Sequence, residues 1–315
     1  MMKIQFHCLL FFLLTANVSL AENSVRDYPV EQIAQHTYVI HGPLGYPSVE
    51  NQGFINNPGF VVTQNGVVLI DPGSSVQAGR MVLRQIKSIT DKPVTHVINT
   101  HIHGDHWLGN LAAVEVFPKV VLIAHPNMIK QAHAGAAEEW VEQMEQATEG
   151  FTRGTRAVIP TLSTSDLSSL ETGGIVFRFH APDKAHSDTD VMIEVVQDSV
   201  LFLGDNVLHK RIPRLDDATF MGNIAACDVA MNLAVKHYVP GHGPSGDVSI
   251  VREFRDYLEI LYNAVALLYE EGLTDYEMKP KVLKELIRFS AWTNFYDQLG
   301  RHVSLAILEV EENSF

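Results

Sequence analysis

Four potential metal ligands lie within six residues of this chain, directly after a stretch typical of a buried β-strand. They are His101, His103, Asp105 and His106, and the strand pattern covers Val94–Asn99. If the chain stays extended as far as His103, the side chains of His101 and His103 project to the same side and can share one metal ion. A helix beginning near Asp105 would turn Asp105 and His106 toward a neighbouring ion. Imidazole together with carboxylate suits zinc, with iron or manganese as substitutes.

The alternative to a metal site is a chance cluster of histidines in which Asp105 is the N-cap of a helix. The chain contains 15 histidines, so some neighbouring pairs are expected. Chance does not readily place them at the end of a strand with this alternation, and an aspartate near an N-cap can still bind a metal ion. We therefore favour the metal site.

Composition excludes several classes of protein. The chain has 315 residues, of which 46% are hydrophobic and 19% are charged, and this balance is typical of a globular protein with a large core. The formal net charge is −14, whereas proteins that bind nucleic acid carry basic surfaces. The negative net charge is still compatible with an anionic small-molecule substrate, because a bound metal ion can dominate the local electrostatic field.

Residues 1–21 have the pattern of an export signal. Lys3 gives a positive start, residues 8–14 form an apolar run, and Ser19-Leu20-Ala21 fits a cleavage site. The alternative is an uncleaved membrane anchor, but polar residues on both sides of the apolar run shorten it well below the ~20 residues that span a bilayer. We expect cleavage near Ala21, a periplasmic or secreted protein, and no stable membrane anchor.

Cysteine usage limits the covalent chemistry of the exported chain. Cys8 lies within the export signal, so Cys227 stands alone afterwards and has no internal disulfide partner. Cys227 lies in a predicted helix and lacks the histidine-rich surroundings of a reactive thiol. We interpret it as a small buried side chain.

Short runs rich in Val and Ile alternate with helical patterns, which predicts an α/β protein with two packed sheets and helices outside them. The predicted strands are Thr37–His41, Gly59–Thr63, Val67–Ile70, Val94–Asn99, Val120–Ala124, Ile175–His180, Val191–Val196 and Val200–Leu203. The predicted helices cover residues 76–89, 105–113, 126–148, 223–235, 248–272 and 278–311. The polar segment 149–172 is predicted to be a long surface loop. The pattern leaves the topology open.

The run His-x-His-x-Asp-His, followed by x-x-Gly-Asn, resembles the signature of the metallo-β-lactamase superfamily. Further segments match that family in the expected order, namely Ala185-His186-Ser187, Leu203-Gly204-Asp205 and Pro240-Gly241-His242-Gly243. His180 competes with His186 as a ligand, but it ends a strand without the family context, and we interpret it as structural. We also expect His125, His133 and His237 to lie outside the metal site.

The resemblance covers roughly residues 37–246 and implies a fold. It implies a four-layer αββα sandwich of the α/β class, with the metal ions at one edge. We expect residues 1–21 to be the signal peptide and residues 30–247 the metallo-β-lactamase domain. Residues 248–315 are then a C-terminal helical extension packed on the same domain.

The resemblance also implies the ligand set and two Zn²⁺ ions. The implied ligands are His101, His103 and His186 for one ion, Asp105, His106 and His242 for the other, and Asp205 as a bridge between them. Asp105 and Asp205 are the expected catalytic residues, because they hold the ions and can accept a proton from an attacking water. Asp71, in a strand-Asp-Pro-Gly turn, either orients the His-rich loop from behind or is an ordinary turn residue.

A hydrolase of small molecules is the function that the resemblance implies, acting on an ester, lactone, thioester or amide-like bond. An aspartate at position 205 is more similar to hydroxyacylglutathione hydrolases, lactonases and phosphodiesterases than to β-lactamases that carry a cysteine there. The chain also resembles exported zinc hydrolases linked with quinoprotein and sulfur-oxidation systems. This resemblance rests on the export signal and on the segments Asn51–Pro58, Arg153-Gly154-Thr155-Arg156, Arg211-Ile212-Pro213 and Trp292–Glu309, and it implies a redox-system partner in the periplasm. The alternatives are an iron-dependent oxidoreductase or sulfur-processing enzyme on the same fold, and a non-enzymatic metal-binding accessory protein.

The segment 206–222 follows Asp205 and could reach over the metal ions. Candidate pocket residues are Tyr46, Trp107, His209, Lys210, Arg211, Arg214 and Phe220. The basic side chains at 210, 211 and 214 could bind an anionic group. The alternative is a solvated basic loop.

Overall fold

The computed structural model describes residues 24–166 and 168–314. The export signal predicted at residues 1–21 lies outside them and stays a prediction. Within the described ranges, no helix is both long enough and apolar enough to cross a membrane.

The first sheet is mixed and follows the order of the chain. Its strands are β1 (Val30–Gln32), β2 (Thr37–Ile40), β3 (Gly59–Val62), β4 (Val67–Ile70), β5 (Val94–Ile98), β6 (Val121–Ala124) and β7 (Leu162–Ser163). Neighbours from β1 to β4 pair antiparallel, and neighbours from β4 to β7 pair parallel. The parallel half therefore places the carboxyl end of β5 between the ends of two neighbouring strands.

The second sheet has the order β12-β11-β10-β9-β8. Its strands are β8 (Ser169–Thr172), β9 (Ile175–His180), β10 (Met192–Val195), β11 (Val200–Leu208) and β12 (His237–His242). Strands β8 to β11 pair antiparallel, whereas β11 and β12 pair parallel with register shifts after Phe202 and Gly204. These irregularities lie in the part of β11 that carries Asp205.

Helices cover the outer faces of both sheets. They are α1 (Val76–Ile89), α2 (Gly104–Trp107), α3 (Asn110–Val116), α4 (Pro126–Gln131), α5 (Ala137–Ala147), α6 (Phe220–Asn232), α7 (Val248–Glu270), α8 (Asp275–Glu285) and α9 (Phe295–Asn313). Helix α1 shows how local sequence sets these bounds, because the Ser75 side chain accepts a hydrogen bond from the backbone N–H of Ala78 at its first turn.

Alternating apolar residues in the strands produce the layers. In β4, Val68 and Ile70 belong to the core between the sheets, whereas Val67 and Leu69 belong to a cluster shared with α1. In β11, Val200 and Phe202 face the same central core. Leu201 and Leu203 belong to a third cluster, which includes side chains of α6, α7, α8 and α9. The result is the helix–sheet–sheet–helix order that the family resemblance implied, and the predicted α/β sandwich with C-terminal helices is confirmed.

Several predicted element bounds are wrong for identifiable reasons. The predicted surface loop 149–172 contains β7 and β8, whose short polar strands give little apolar alternation. The predicted helix 278–311 is two helices separated by a 3-10 turn, and Asn294 between them has φ of 67°, which a helix does not allow. Strand β12 was not predicted from the sequence, because Pro240 and Gly241 are unfavourable in a strand interior. Cys227 is buried, as predicted.

The C-terminal helices are joined to the rest of the chain through a buried histidine. His302 of α9 donates from Nε2 to the carbonyl oxygen of Pro213 at 3.0 Å, and its Nδ1 accepts from the Tyr257 hydroxyl of α7 at 2.8 Å. Burial, with a smaller effect of Arg301, lowers the pKa of His302 to about 4, although the Pro213 carbonyl opposes this shift. His302 is therefore neutral in the folded protein at neutral pH.

Protonation should remove the stabilising effect of His302 in a defined pH range. Below the ordinary histidine pKa of 6.5 the unfolded chain binds a proton that the folded chain does not, until pH falls to about 4. The wild type should lose up to about 1.4 kcal/mol of stability per pH unit in this range from His302 alone. Urea unfolding should therefore show His302→Gln to be much less stable than wild type at neutral pH, with the difference shrinking in acid. A difference that is constant with pH would contradict this account.

Candidate metal centre

The His-rich loop after β5 is fixed by hydrogen bonds before any metal ion is considered. The Thr100 backbone N–H donates to Asp71 Oδ1 at 2.8 Å, and the Ile102 N–H donates to Thr189 Oγ1 at 3.0 Å. The indole N–H of Trp107 donates back to the Ile102 carbonyl oxygen at 2.7 Å. These bonds hold the loop at the edge of the two sheets.

Asp71 lies directly behind this loop. It follows β4 with φ of 51°, a conformation that aspartate adopts more readily than most residues. Its Oδ2 accepts from the Thr100 hydroxyl at 2.6 Å and from His106 Nδ1 at 2.8 Å. Of the two predicted roles, the geometry matches a residue that orients the His-rich loop.

The first group of candidate ligands contains His101, His103, His186 and Asp205. One ligand atom from each lies within 4.8 Å of every other. His186 Nε2 is 2.9 Å from His103 Nδ1 and 3.6 Å from Asp205 Oδ2. Burial lowers the pKa of His101 well below its usual value and that of His186 to about 3, so both imidazoles are neutral and keep a free lone pair.

The second group contains Asp105, His106 and His242. Nε2 of His106 and Nε2 of His242 are 3.3 Å apart, and His242 Nε2 is 3.2 Å from Asp105 Oδ2. Asp205 reaches this group as well, because its Oδ1 is 3.2 Å from His106 Nε2 and its Oδ2 is 3.4 Å from His242 Nε2. The Asp205 carboxylate therefore lies between the two groups.

Two glycines let Asp205 take this position. Gly204 has φ of 53°, and a Cβ there would lie 2.9 Å from Thr100 Cβ. A Cβ at Gly241 would lie 1.9 Å from Asp205 Oδ1. Both glycines are thus needed for close approach, and Gly204 is also needed for its positive φ.

The hydrogen-bond partners of the imidazoles decide which nitrogen is free to bind a metal ion. The Thr100 hydroxyl gives its proton to Asp71, so it accepts from His101 Nδ1 at 2.9 Å and leaves Nε2 of His101 without a proton. His106 Nδ1 donates to Asp71, and His242 Nδ1 donates to the Ile55 carbonyl oxygen at 2.8 Å. Each of these contacts turns a lone pair toward the centre, as outer hydrogen bonds do around metal-binding histidines.

His103 uses the opposite nitrogen. Its Nε2 donates to Asp217 Oδ2 at 3.1 Å, which leaves Nδ1 facing His186. The hydrogen bond from His103 is the main cause of a lowered pKa at Asp217. Asp217 was missed by the sequence reasoning, because a single aspartate in an irregular segment carries no motif.

The donor set fits metal ions. Within the described part of the chain, His101 Nε2 and Asp205 Oδ1 are buried without a hydrogen-bond partner. Burial opposes charge on His106, but Asp205, Asp105 and Asp71 outweigh it and raise the pKa of His106 well above its usual value. These carboxylates favour positive charge at this point, and a cation held by carboxylates and neutral imidazoles would supply it.

A cavity of about 520 Å³ opens onto the centre. Its lining residues are Tyr46, Pro47, Ile55, His103, Asp105, Trp140, Gln143, Met144, Ala147, His186, Asp205, Leu208, Arg211, Pro213, Arg214, Asp216, Asp217, His242 and Gln298. Tyr46, Arg211 and Arg214 were predicted from the sequence as pocket residues. Gln298 was not, because it lies in the C-terminal extension, far from every motif.

Four other predicted pocket residues lie elsewhere, and those predictions are wrong. Trp107 is fully buried beneath the loop, and Phe220 belongs to the core cluster of the second sheet. His209 Nδ1 donates to the Pro244 carbonyl oxygen at 2.8 Å, and Lys210 Nζ donates to Glu253 at 3.0 Å. The backbone of Lys210 has a left-handed conformation, with φ of 62°.

The histidines predicted to lie outside the site are absent from both ligand groups. His180 Nε2 contacts Glu194 at 2.9 Å on the second sheet. His125 caps α4 by accepting a hydrogen bond from the Asn127 N–H. His133 lies in the π-helical turn Ala132–Ala136, and His237 begins β12.

Comparison with known proteins agrees with the centre's geometry. The family model of the metallo-beta-lactamase superfamily matches residues 52–242, which include every candidate ligand. The chain belongs to this superfamily. The structure of a metallo-beta-lactamase from Pontibacter korlensis superposes with a TM-score of 0.59 at 22% identity, covering 73% of this chain and 98% of that one. The stereoselective inverting sec-alkylsulfatase Pisa1 from Pseudomonas sp. gives a TM-score of 0.70 at 17% identity, covering 90% of this chain and 50% of that one.

Two sequence relatives add to this comparison. A metallo-beta-lactamase type 2 from Bacillus sp. (strain 170) is 23% identical over 252 residues, which are 76% of this chain and 85% of the relative. A linear primary-alkylsulfatase from Pseudomonas sp. (strain ATCC 19151) is 41% identical over 49 residues, 16% of this chain. That match spans 9% of the alkylsulfatase, so it bears on a local segment.

Replacing Asp71 should weaken metal binding without removing a ligand. Asp71→Asn offers His106 Nδ1 and Thr100 one good acceptor in place of two, so both imidazole orientation and the loop should loosen. We expect metal affinity to fall about 10- to 100-fold, measured by competition with a chelator of known affinity.

Asp198→Asn is the matched control for this variant. Asp198 is another buried carboxylate, which accepts hydrogen bonds from the His36 N–H and the Thr37 hydroxyl and does not line the cavity. It should lower the free energy of unfolding and leave metal affinity unchanged. Equal loss of metal affinity in the two variants would show that Asp71 acts only through stability.

Proposed function

We propose that this chain is a hydrolase that works with two Zn²⁺ ions. The observation that carries the proposal is the position of Asp205, whose two carboxylate oxygens contact imidazoles of both ligand groups. In this assignment His101, His103 and His186 hold one ion, and Asp105, His106 and His242 hold the other. Bound metal ions supply a water of lowered pKa and polarise the oxygen of an electrophilic group.

The protein's own residues orient the ligands and, in this proposal, accept protons. The hydrogen bonds of Asp71 and Thr100 keep the imidazoles of His101 and His106 in one tautomer, so their lone pairs stay directed at the centre. Asp105 and Asp205 have lowered pKa values in spite of burial, because neighbouring histidines favour the ionised carboxylates. Both carboxylates are therefore ionised at neutral pH, as metal ligands and proton acceptors must be, and we propose them as the groups that take up the proton of the attacking water.

The bond that is cleaved is proposed at the level of a class. An ester, lactone, thioester or amide-like bond suits attack by an activated water. The names of the relatives, beta-lactamases and alkylsulfatases, add a cyclic amide and a sulfate ester to the substrates worth testing. Export of the protein and a periplasmic redox partner are further proposals that rest on sequence alone.

The variant Asp205→Asn should show whether Asp205 is a bridging carboxylate or only a turn residue. The variant keeps the shape of the side chain and removes the charge that both ligand groups share. We expect it to weaken the binding of the second metal ion and to reduce turnover at least about 100-fold on any substrate that the wild type cleaves. The measurements are metal content after dialysis and the rate constant of hydrolysis.

Lys210→Gln is the control, since Lys210 pairs with Glu253 outside the cavity lining. It should retain both ions and near-normal turnover. Two tightly held ions with unchanged turnover in Asp205→Asn would contradict the proposed bridge.

A further inference from the structure

A buried arginine, Arg211, lines the cavity next to the metal centre. Arg211 is 6% exposed, yet in the described part of the chain its Nε and Nη1 atoms have no hydrogen-bond partner. A guanidinium is always charged and has donors for several acceptors, so leaving them unpaired in the interior costs folding free energy. An unpaired polar group in a native interior needs an explanation, and one that lines a cavity is placed to bind a ligand.

The backbone of Arg211 is fixed by the C-terminal extension. Arg211 forms a parallel bridge with Thr293, in which the Ile212 N–H donates to the Thr293 carbonyl oxygen at 2.9 Å. The Thr293 N–H donates in turn to the Lys210 carbonyl oxygen at 3.0 Å. The backbone that carries Arg211 is therefore held in place by residues beyond the family match.

Three other polar groups of the cavity lie around the same place. The guanidinium carbons of Arg211 and Arg214 are 5.9 Å and 5.7 Å from the centre of the Tyr46 ring. Gln298 of α9 donates from Nε2 to the Tyr46 hydroxyl oxygen at 2.5 Å, which leaves the proton of that hydroxyl free to be donated. Two cations on one ring repel each other, and an anion between them would relieve the repulsion.

The carboxylates of the cavity do not neutralise Arg211. Asp216 pairs with Arg301, and Asp217 pairs with His103. Asp105 and Asp205 are close enough to raise the pKa of Arg211 against the lowering effect of burial, but both contact the imidazoles of the metal centre. Among the described residues, Arg211 is thus a positive group of the cavity that forms no salt bridge of its own.

We propose that Arg211, with Arg214, Tyr46 and Gln298, binds a carboxylate or sulfate group of the substrate beside the metal centre. That the bound molecule is a substrate rests on the proposed hydrolase function, whereas the binding of the anionic group does not depend on turnover. The planar guanidinium donates two parallel hydrogen bonds to such an oxyanion, which fixes its orientation. Trp140, Met144 and Ile55 line the same cavity and provide apolar contacts for the remainder of the molecule.

Binding of matched probes to the metal-loaded protein tests the subsite. The probes are hexanoate, hexane-1-sulfonate and 1-hexanol, which share an apolar chain and differ in the head group, and none is a hydrolysable ester. Calorimetry at low salt should show tighter binding of at least one anion than of the alcohol by tenfold or more. The anion that binds more tightly identifies whether a carboxylate or a sulfate group suits the subsite.

Variants at neighbouring positions separate a ligand role from a structural one. Arg211→Met should weaken anion binding at least tenfold, leave 1-hexanol binding unchanged, and keep or raise the melting temperature, because it removes a buried unpaired charge. Arg211→Lys keeps the charge but loses the two parallel N–H donors of the guanidinium, so its affinity for the anions should be intermediate. Lys210→Gln removes a positive charge one residue away that pairs with Glu253 outside the cavity, and it should match the wild type.

Several results would overturn the subsite. One is equal binding of anions and alcohol by the wild type, or no binding of either anion. Another is unchanged anion binding in Arg211→Met or, if that variant does not fold, in Arg211→Lys. A third is a lower melting temperature of Arg211→Met with equal loss of all the probes, which would make Arg211 structural. Normal turnover in Asp205→Asn would instead reject the proposed mechanism and leave the anion-binding result intact.

Discussion

The need for positive charge between buried carboxylates is the constraint on which the rest of the site depends. Asp205 and Asp105 lie among imidazoles at an edge that excludes much of the solvent, and Asp71 adds a third carboxylate behind His106. The carboxylates favour a proton on His106, but burial opposes protonation of His101 and His186. Metal ions satisfy the carboxylates and the neutral imidazoles together, so charge balance and ligand geometry lead to the same conclusion.

The fold meets this constraint by joining segments that are distant in the chain. The loop after β5 brings the His-rich motif, the segment before β10 brings His186, and β11 and β12 bring Asp205 and His242 to the same edge. The regular pairing of β11 and β12 is interrupted by register shifts on both sides of Gly204, next to Asp205. The C-terminal helices then complete the cavity wall through Gln298.

The sequence predicted which residues come together where a residue lies in a specific local context. The His-rich motif, Gly204-Asp205 and the Pro-Gly-His segment each carry their own local context, and the structure brings them into two adjoining groups. Prediction failed where the direction of a side chain depends on tertiary contacts. Lys210 and Arg211 are adjacent and equally basic, yet one pairs with Glu253 at the surface and the other is buried in the cavity.

The position of the metal ions is the most direct test of this account. Crystals of the protein grown with zinc should give two anomalous diffraction peaks at the zinc absorption edge, about 3.5–4 Å apart. One peak should lie among His101, His103 and His186, the other among Asp105, His106 and His242, with the Asp205 carboxylate between them. A single peak, or a second peak that Asp205 does not contact, would contradict the dinuclear centre.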